Sequence, residues 1–153
     1  MNALELKVPP LALAVVFALA MWLAATQFPA LAFELPAHRV IAVLVASLGA
    51  ALVLVAGLGF RRAGTTVNPT KPQATTSVVD SGVYRLSRNP MYLGFLLGLA
   101  AWAAYLSHVL PFLFLPAFVG YMNRFQIAPE ERMLAARFGD GYRQYRLRVR
   151  RWL

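Results

Sequence analysis

Two short stretches of this chain combine residue types that could do chemistry. The first, Ser81-Gly-Val-Tyr-Arg-Leu-Ser-Arg-Asn-Pro-Met-Tyr-Leu-Gly94, gathers turn residues, two arginines and two tyrosines in front of a long apolar run. Asn89 before Pro90 reads as a helix start, with Asn89 as the cap and Pro90 at the first helical position. Arg85 and Arg88 then read as ordinary cations at a membrane edge. The same start leaves backbone N–H groups free for a carboxylate, while Tyr84 and Tyr92 offer aromatic faces to a purine or a cation. Gly94 and Gly98 would admit a closely packed helix or ligand. The second stretch, Arg124-Phe-Gln-Ile-Ala-Pro-Glu-Glu-Arg132, places two adjacent carboxylates just after a proline. That is where a helix dipole stabilises acids, by a few tenths to about 1 kcal/mol. Glu130 and Glu131 are two of only six acidic residues in a chain of net charge +9, and a carboxylate there could bind the ammonium of an amino-acid-like cofactor.

Other chemistries lack their residues. The chain has no cysteine, so a disulfide framework, a thiolate metal site and a cysteine nucleophile are all ruled out. No metal-ligand spacing, Ser-His-Asp set or glycine-rich phosphate loop is visible. His38 and His108 fall in short connections between apolar runs, where a lone histidine is ordinarily solvated.

The elements that must carry these residues are membrane helices. Of 153 residues, 59% are hydrophobic and only 14% charged, well below the quarter usual for soluble domains. Runs free of charged residues extend over Val8–Phe33, Val40–Phe60 and Asn89–Asn123, and a bilayer core needs about 20 helical residues. The first run is too long for the core of a signal peptide and reads as a helix that stays. These runs predict helices at 9–33, bent or ended by Pro29, and at 39–60, joined by a short connection into an antiparallel hairpin. The third run exceeds one span and holds Ser107, His108 and Pro111 at its middle, so it divides into helices at 90–106 and 109–125. Both are close to minimum length, as tolerated where helices border a cavity. Residues 61–89 form a polar connecting loop, and the whole chain is one domain: an all-α polytopic membrane protein of four spans in two hairpins, with a C-terminal amphipathic segment.

Orientation follows from lysine and arginine. Five basic residues lie between Arg61 and Arg88 and eight follow Asn123, whereas the connection between the first two helices has only Arg39. Both termini and both candidate segments are therefore expected in the cytoplasm, and the arginine bias fits a bacterial inner membrane. The segment 129–153 spaces Leu134, Phe138, Tyr142, Tyr145, Val149 and Trp152 at threes and fours. Such a stripe flanked by arginines predicts a helix lying in the membrane interface with Trp152 at headgroup depth, broken near Gly139-Asp-Gly141. Its positive charge is expected to meet anionic headgroups, not nucleic acid.

The two candidate segments together resemble the isoprenylcysteine carboxyl methyltransferase family and its relatives, which include the phospholipid N-methyltransferases. The matching words are Gly82-Val-Tyr84, Arg88-Asn-Pro-Met-Tyr92 with Gly94, Glu130-Glu131, Phe138-Gly139, Tyr142, Tyr145 and Val149-Arg150. They run from about Thr66 onward, and their order around a helical hairpin carries the likeness. The resemblance implies a membrane enzyme that binds S-adenosylmethionine between the last helices and the C-terminal segment. It implies further that Asn89, Pro90, Met91 and Tyr92 line the cofactor, that Glu130 with Glu131 engages its amino-acid portion, and that Trp102 and Tyr105 reach the adenine. Arg124 and Gln126 would lie nearer the substrate, with Arg124 and Asn89 as the candidate catalytic residues. One position departs from the family pattern, which usually has histidine where this chain has Asn89; the asparagine amide can still donate a hydrogen bond there.

Methyl transfer from a sulfonium needs alignment and exclusion of water more than covalent help. A carboxylate acceptor is ionised at neutral pH, whereas an amine must first lose a proton. The expected acceptor is a lipid or lipidated small molecule bearing a carboxylate; a phospholipid or lipid amine is the alternative. A noncatalytic membrane module or permease is the rival outside enzymes, though a permease would place its polar groups at mid-membrane, where this sequence has almost none.

Overall fold

The computed structural model describes residues 5–64 and 77–153. Part of the connecting loop expected at 61–89, residues 65–76, lies outside the described residues. Five helices follow in order: α1 (Pro10–Gln27), α2 (His38–Arg62), α3 (Pro90–Leu106), α4 (Val109–Tyr121) and α5 (Ala128–Arg148). Among the described residues there are no strands.

Prolines and polar residues set the helix ends. α1 opens on Pro10 and stops before Pro29, which starts a single 3-10 turn over Pro29–Leu31, so the helix expected to reach Phe33 ends six residues sooner, at Gln27. α1 and α2 are long and apolar enough to cross a membrane, with mean hydropathy 1.8 and 2.7, and α3 is a shorter apolar helix. Their outward residues, among them Leu11, Val16, Leu19, Val43, Leu44 and Leu48, are exposed. So large an exposed apolar surface belongs against lipid.

α3 is followed by Ser107 in the left-handed conformation, and α4 begins directly after His108. His108 is not solvated as its sequence context implied. It is 2% exposed, its Nδ1 accepts from the Leu110 N–H and its Nε2 faces the Phe28 carbonyl at 2.8 Å, so it pins the turn to the end of α1. The helix expected to run regularly from 109 to 125 changes character at its end: α-helix stops at Tyr121 and a π-helical segment, Met122–Ile127, leads into α5. Each π turn carries an extra residue and re-aims the side chains beyond it.

α3 is the hub. It packs most extensively on α2 and also touches α1 and α4. The α2–α3 contact is made by glycine: a Cβ on Gly94 would lie 2.5 Å from Val53 Cγ2 and 2.7 Å from the Gly49 carbonyl oxygen. Gly98 makes no such approach, with nothing within 4 Å of where its Cβ would be. On the other side of α3, Tyr92, Leu99 and Ala103 join Leu13, Met21, Phe118, Met122 and Ile127 in the main buried cluster.

Gly94→Val should force α2 from α3 and lower stability by about 1–3 kcal/mol, as overpacking does, whereas Gly98→Ala should leave the thermal midpoint of the detergent-purified protein almost unchanged.

Candidate functional site

The site is built where the start of α3 meets the end of the π segment and the first turn of α5. Pro90 fixes the first turn of α3 and is fully buried, which aims Tyr92 inward. The π segment turns Gln126 inward, and Glu130 follows one turn later. The Tyr92 hydroxyl donates to Glu130 Oε1 at 2.6 Å, and Gln126 Nε2 reaches the same oxygen at 2.5 Å. Gln126 Nε2 also lies 3.4 Å from the Tyr92 hydroxyl. Burial pushes the Glu130 carboxyl up to about 7, against the two hydrogen bonds that favour its ionised form and with some help from the charge of Glu131.

Glu131, next in sequence, has the opposite environment. Its Oε1 meets Arg88 Nη2 at 2.7 Å and Arg151 Nε at 3.1 Å, while its Oε2 meets Arg151 Nη2 at 2.5 Å. Burial alone would raise this carboxyl, but the hydrogen bonds and charges of Arg151 and Arg88 outweigh it and hold it below the ordinary value. The ion pair anchors a wider clasp. Arg88 donates from Nη1 to the carbonyls of Arg146 and Val149, and its backbone N–H donates to Arg150. Ser87 and the Asn89 amide both donate to the Arg151 carbonyl, and Trp152 Nε1 donates to Asn123 at 3.0 Å. The C-terminal residues are thereby drawn back over the start of α3. α5 bends at Gly139, whose φ of 52° and ψ of −123° no helix adopts.

Several sequence expectations change here. The stripe on α5 does not face a membrane: Tyr142, Tyr145 and Val149 are buried against Val78, Leu134, Ala135 and Phe138, and Tyr145 donates to the Tyr84 carbonyl at 2.7 Å. Trp152 packs, partly buried, on the main core. Asn89 does not cap α3 with its side chain; that amide ties down Arg151, and Ser87 Oγ accepts from the Asn89 N–H instead. Of the candidates, Tyr92, Gln126 and Glu130 come together. Met91 lies partly buried beside them, and Asn89 and Glu131 belong to the clasp. Arg124 is exposed, stacked at 5.9 Å over Phe125. Trp102 and Tyr105 lie about 15–20 Å farther along α3 from Tyr92, at 1.5 Å per residue. There the two rings stack on each other, Trp102 donates to the Ala18 carbonyl and Tyr105 neighbours His38. They are not part of this site.

The sequence reading did not single out Arg151 or Asn123 and took Arg88 for a surface cation. A signal existed: Arg88 is contiguous with Asn89-Pro90, and Arg151 follows the Val149-Arg150 pair. Among the described residues no group of histidine, cysteine, aspartate or glutamate is arranged to hold a metal.

A helical membrane protein with a buried carboxylate centre at its basic end is the class that fold and site define. The family model for phospholipid methyltransferases matches residues 37–141, more than half of the chain and both halves of the site apart from the clasp's last residues. The chain belongs to the phospholipid methyltransferase family, part of the same superfamily of membrane methyltransferases as the isoprenylcysteine carboxyl methyltransferases. It is similar also to an uncharacterized protein of Haemophilus influenzae, 49% identical over 63 residues, which are 41% of this chain and all of that relative. No solved structure matches it.

Glu131→Gln leaves two arginines facing a neutral amide. Removing one partner of a buried pair ordinarily costs about 3–5 kcal/mol, and the lower end is expected because Arg151 is 34% exposed; chemical denaturation of the variant beside wild type measures it.

Proposed function

We propose that this protein transfers a methyl group from S-adenosylmethionine to a membrane-held lipid acceptor, with the Tyr92–Gln126–Glu130 centre receiving the cofactor's amino-acid end. The observation that carries the reading is the buried Glu130 carboxylate, oriented through one oxygen by Tyr92 and Gln126. That donor set fits the group: an ionised carboxylate accepts an α-ammonium, and the Tyr92 ring and the Met91 side chain offer apolar walls to its methylene and sulfur atoms. When bound, the cofactor supplies an activated methyl on a sulfonium. The chain's own part is positioning. Pro90 and the clasp fix the first turn of α3, Tyr92 and Gln126 fix the rotamer of Glu130, and the folded-back C-terminal residues keep water from the centre.

The family favours a phospholipid or lipid-amine acceptor. A carboxylate acceptor is the second reading; it needs no deprotonation, and Arg124, exposed beside Gln126, offers it a cation. The membrane supports the placement: with four spans, the basic segments lie on the cytoplasmic side, where the soluble cofactor is found and the acceptor arrives laterally.

Incubating nanodisc-embedded protein with methyl-labelled S-adenosylmethionine should place label in the lipid extract, with at least a hundredfold loss in Glu130→Ala. Label that survives mild alkali marks an N-methyl product, and label released as methanol marks an ester. No transfer and no cofactor binding by folded wild type would remove the reading.

Glu130 also gives a pH signature. Its folded-state pKa is raised, so the ionised form that would bind an ammonium appears only as pH climbs towards 7. Between pH 6 and 7.5 the ionised fraction grows about eightfold for a pKa near 7, and cofactor affinity measured by calorimetry should rise with it. Glu130→Gln should bind weakly and without that rise. The sign for stability is opposite: Glu130's favourable contribution is complete below about pH 4.5 and lost as pH rises through about 7.

A further inference from the structure

A second concavity lies outside the carboxylate centre. At the end of α2 a cavity of about 380 Å³ opens between that helix and the 3-10 turn Gly82–Arg85. Val55, Leu58, Val83 and Tyr84 make its apolar walls, and Arg62 stands at its polar rim. Val55 and Leu58 belong to the outward face of α2, each 47% exposed, so the cavity is continuous with the surface that faces lipid. Gly59 keeps the wall flat: a Cβ there would press to 3.3 Å of the Tyr84 ring. Arg62 has no carboxylate or carbonyl partner among the described residues.

The back wall of this cavity is also the edge of the carboxylate centre. Tyr84 is buried, donates to the Ala56 carbonyl at 3.4 Å and accepts at its own carbonyl from Tyr145. Met91 packs against the Tyr84 cluster on one side and the Tyr92 cluster on the other, so one layer of side chains separates the two spaces. The Tyr84 phenol is held above its ordinary value, chiefly by burial.

We infer that this cavity is the acceptor's docking site: a lipid bearing a phosphate in its headgroup seats its upper acyl region along Val55 and Leu58 and its anionic group on Arg62. The inference rests on the methyltransferase reading for its purpose but not for its geometry. Complementarity carries it. An apolar slot open to the bilayer ends in a guanidinium with no carboxylate or carbonyl partner among the described residues, whose planar donor fork suits phosphate oxygens. The phosphate would thus be held at the rim, leaving the reactive end of the headgroup to extend past Tyr84 towards the cofactor.

The test is photo-labelling of full-length protein in phosphatidylcholine nanodiscs, doped with a diacyl phosphoethanolamine lipid that carries a diazirine near the top of one acyl chain. Diacylglycerol with the same diazirine is the comparison. Cross-links should concentrate on 55–63 and 81–84, exceed those of the diacylglycerol probe severalfold, and fall at least fivefold in both Arg62→Gln and Leu58→Trp. Cofactor affinity of the two variants should stay within twofold of wild type, since neither residue touches the carboxylate centre. Cross-links spread evenly over α1 and α2, equal labelling by diacylglycerol, or labelling unchanged in both variants would overturn the site. Intact labelling by a protein that transfers no methyl group would overturn the enzymatic reading and leave the lipid site standing.

Discussion

The pairing of Glu131 with Arg88 and Arg151 is the constraint on which the rest of the basic end depends. It joins three pieces of chain that sequence keeps far apart: the start of α3, the first turn of α5 and the C-terminal residues. Two cations around one carboxylate, with only 8% of the Glu131 side chain exposed, form a pair whose desolvation is offset in part by further hydrogen bonds, although Arg88 Nε is buried without a partner among the described residues. The Arg88 amino group that does not meet Glu131 serves two backbone carbonyls. With the clasp closed, Tyr92 and Glu130 have fixed positions on either side of a seam. Without it, α3 and α5 would be related through the π segment and the Tyr92–Glu130 hydrogen bond.

Neighbouring carboxylates are thereby given different work by environment alone. Glu131 faces guanidinium groups and is held ionised as a structural anion. Glu130, one residue on the other side of the helix turn, faces a phenol and an amide, and burial brings its titration into the physiological range. A carboxyl group poised near neutrality, with one oxygen oriented by two donors, is suited to recognising a cation. The lipid-facing cavity beside α2 adds the complementary feature, an apolar approach that ends in a cation. Soluble and membrane-dissolved partners would thus meet across the Tyr84–Met91 layer from opposite sides.

Much of the fold was legible because its causes are local. Charge-free runs, Pro90 and the polar break at Ser107-His108 announce α3 and the hairpin that follows it. What escaped depends on tertiary geometry. The π segment has no sequence signature, yet it decides which way Gln126 and Glu130 point. The α5 stripe is apolar and helical as its spacing predicts, but periodicity cannot tell a membrane from another part of the same chain, and here Val78 and the Tyr84 carbonyl meet it. The same limit applied to Trp102 and Tyr105: they share a helix with Tyr92, and aromatic type alone does not reveal that ten or more residues of rise separate them from it. Glu130 stands out in the sequence because acids are so scarce in this chain, whereas Glu131 looks equivalent until its arginines are located.

The central claim is that the cofactor is held where 89–92 and 123–131 meet. Hydrogen–deuterium exchange of the nanodisc-embedded protein, with and without saturating S-adenosylmethionine, addresses it most directly. The account expects slowed exchange confined to peptides spanning 88–93 and 122–132, with α1 and the outer half of α2 unchanged. Protection that appears elsewhere while these two segments exchange as before would contradict it.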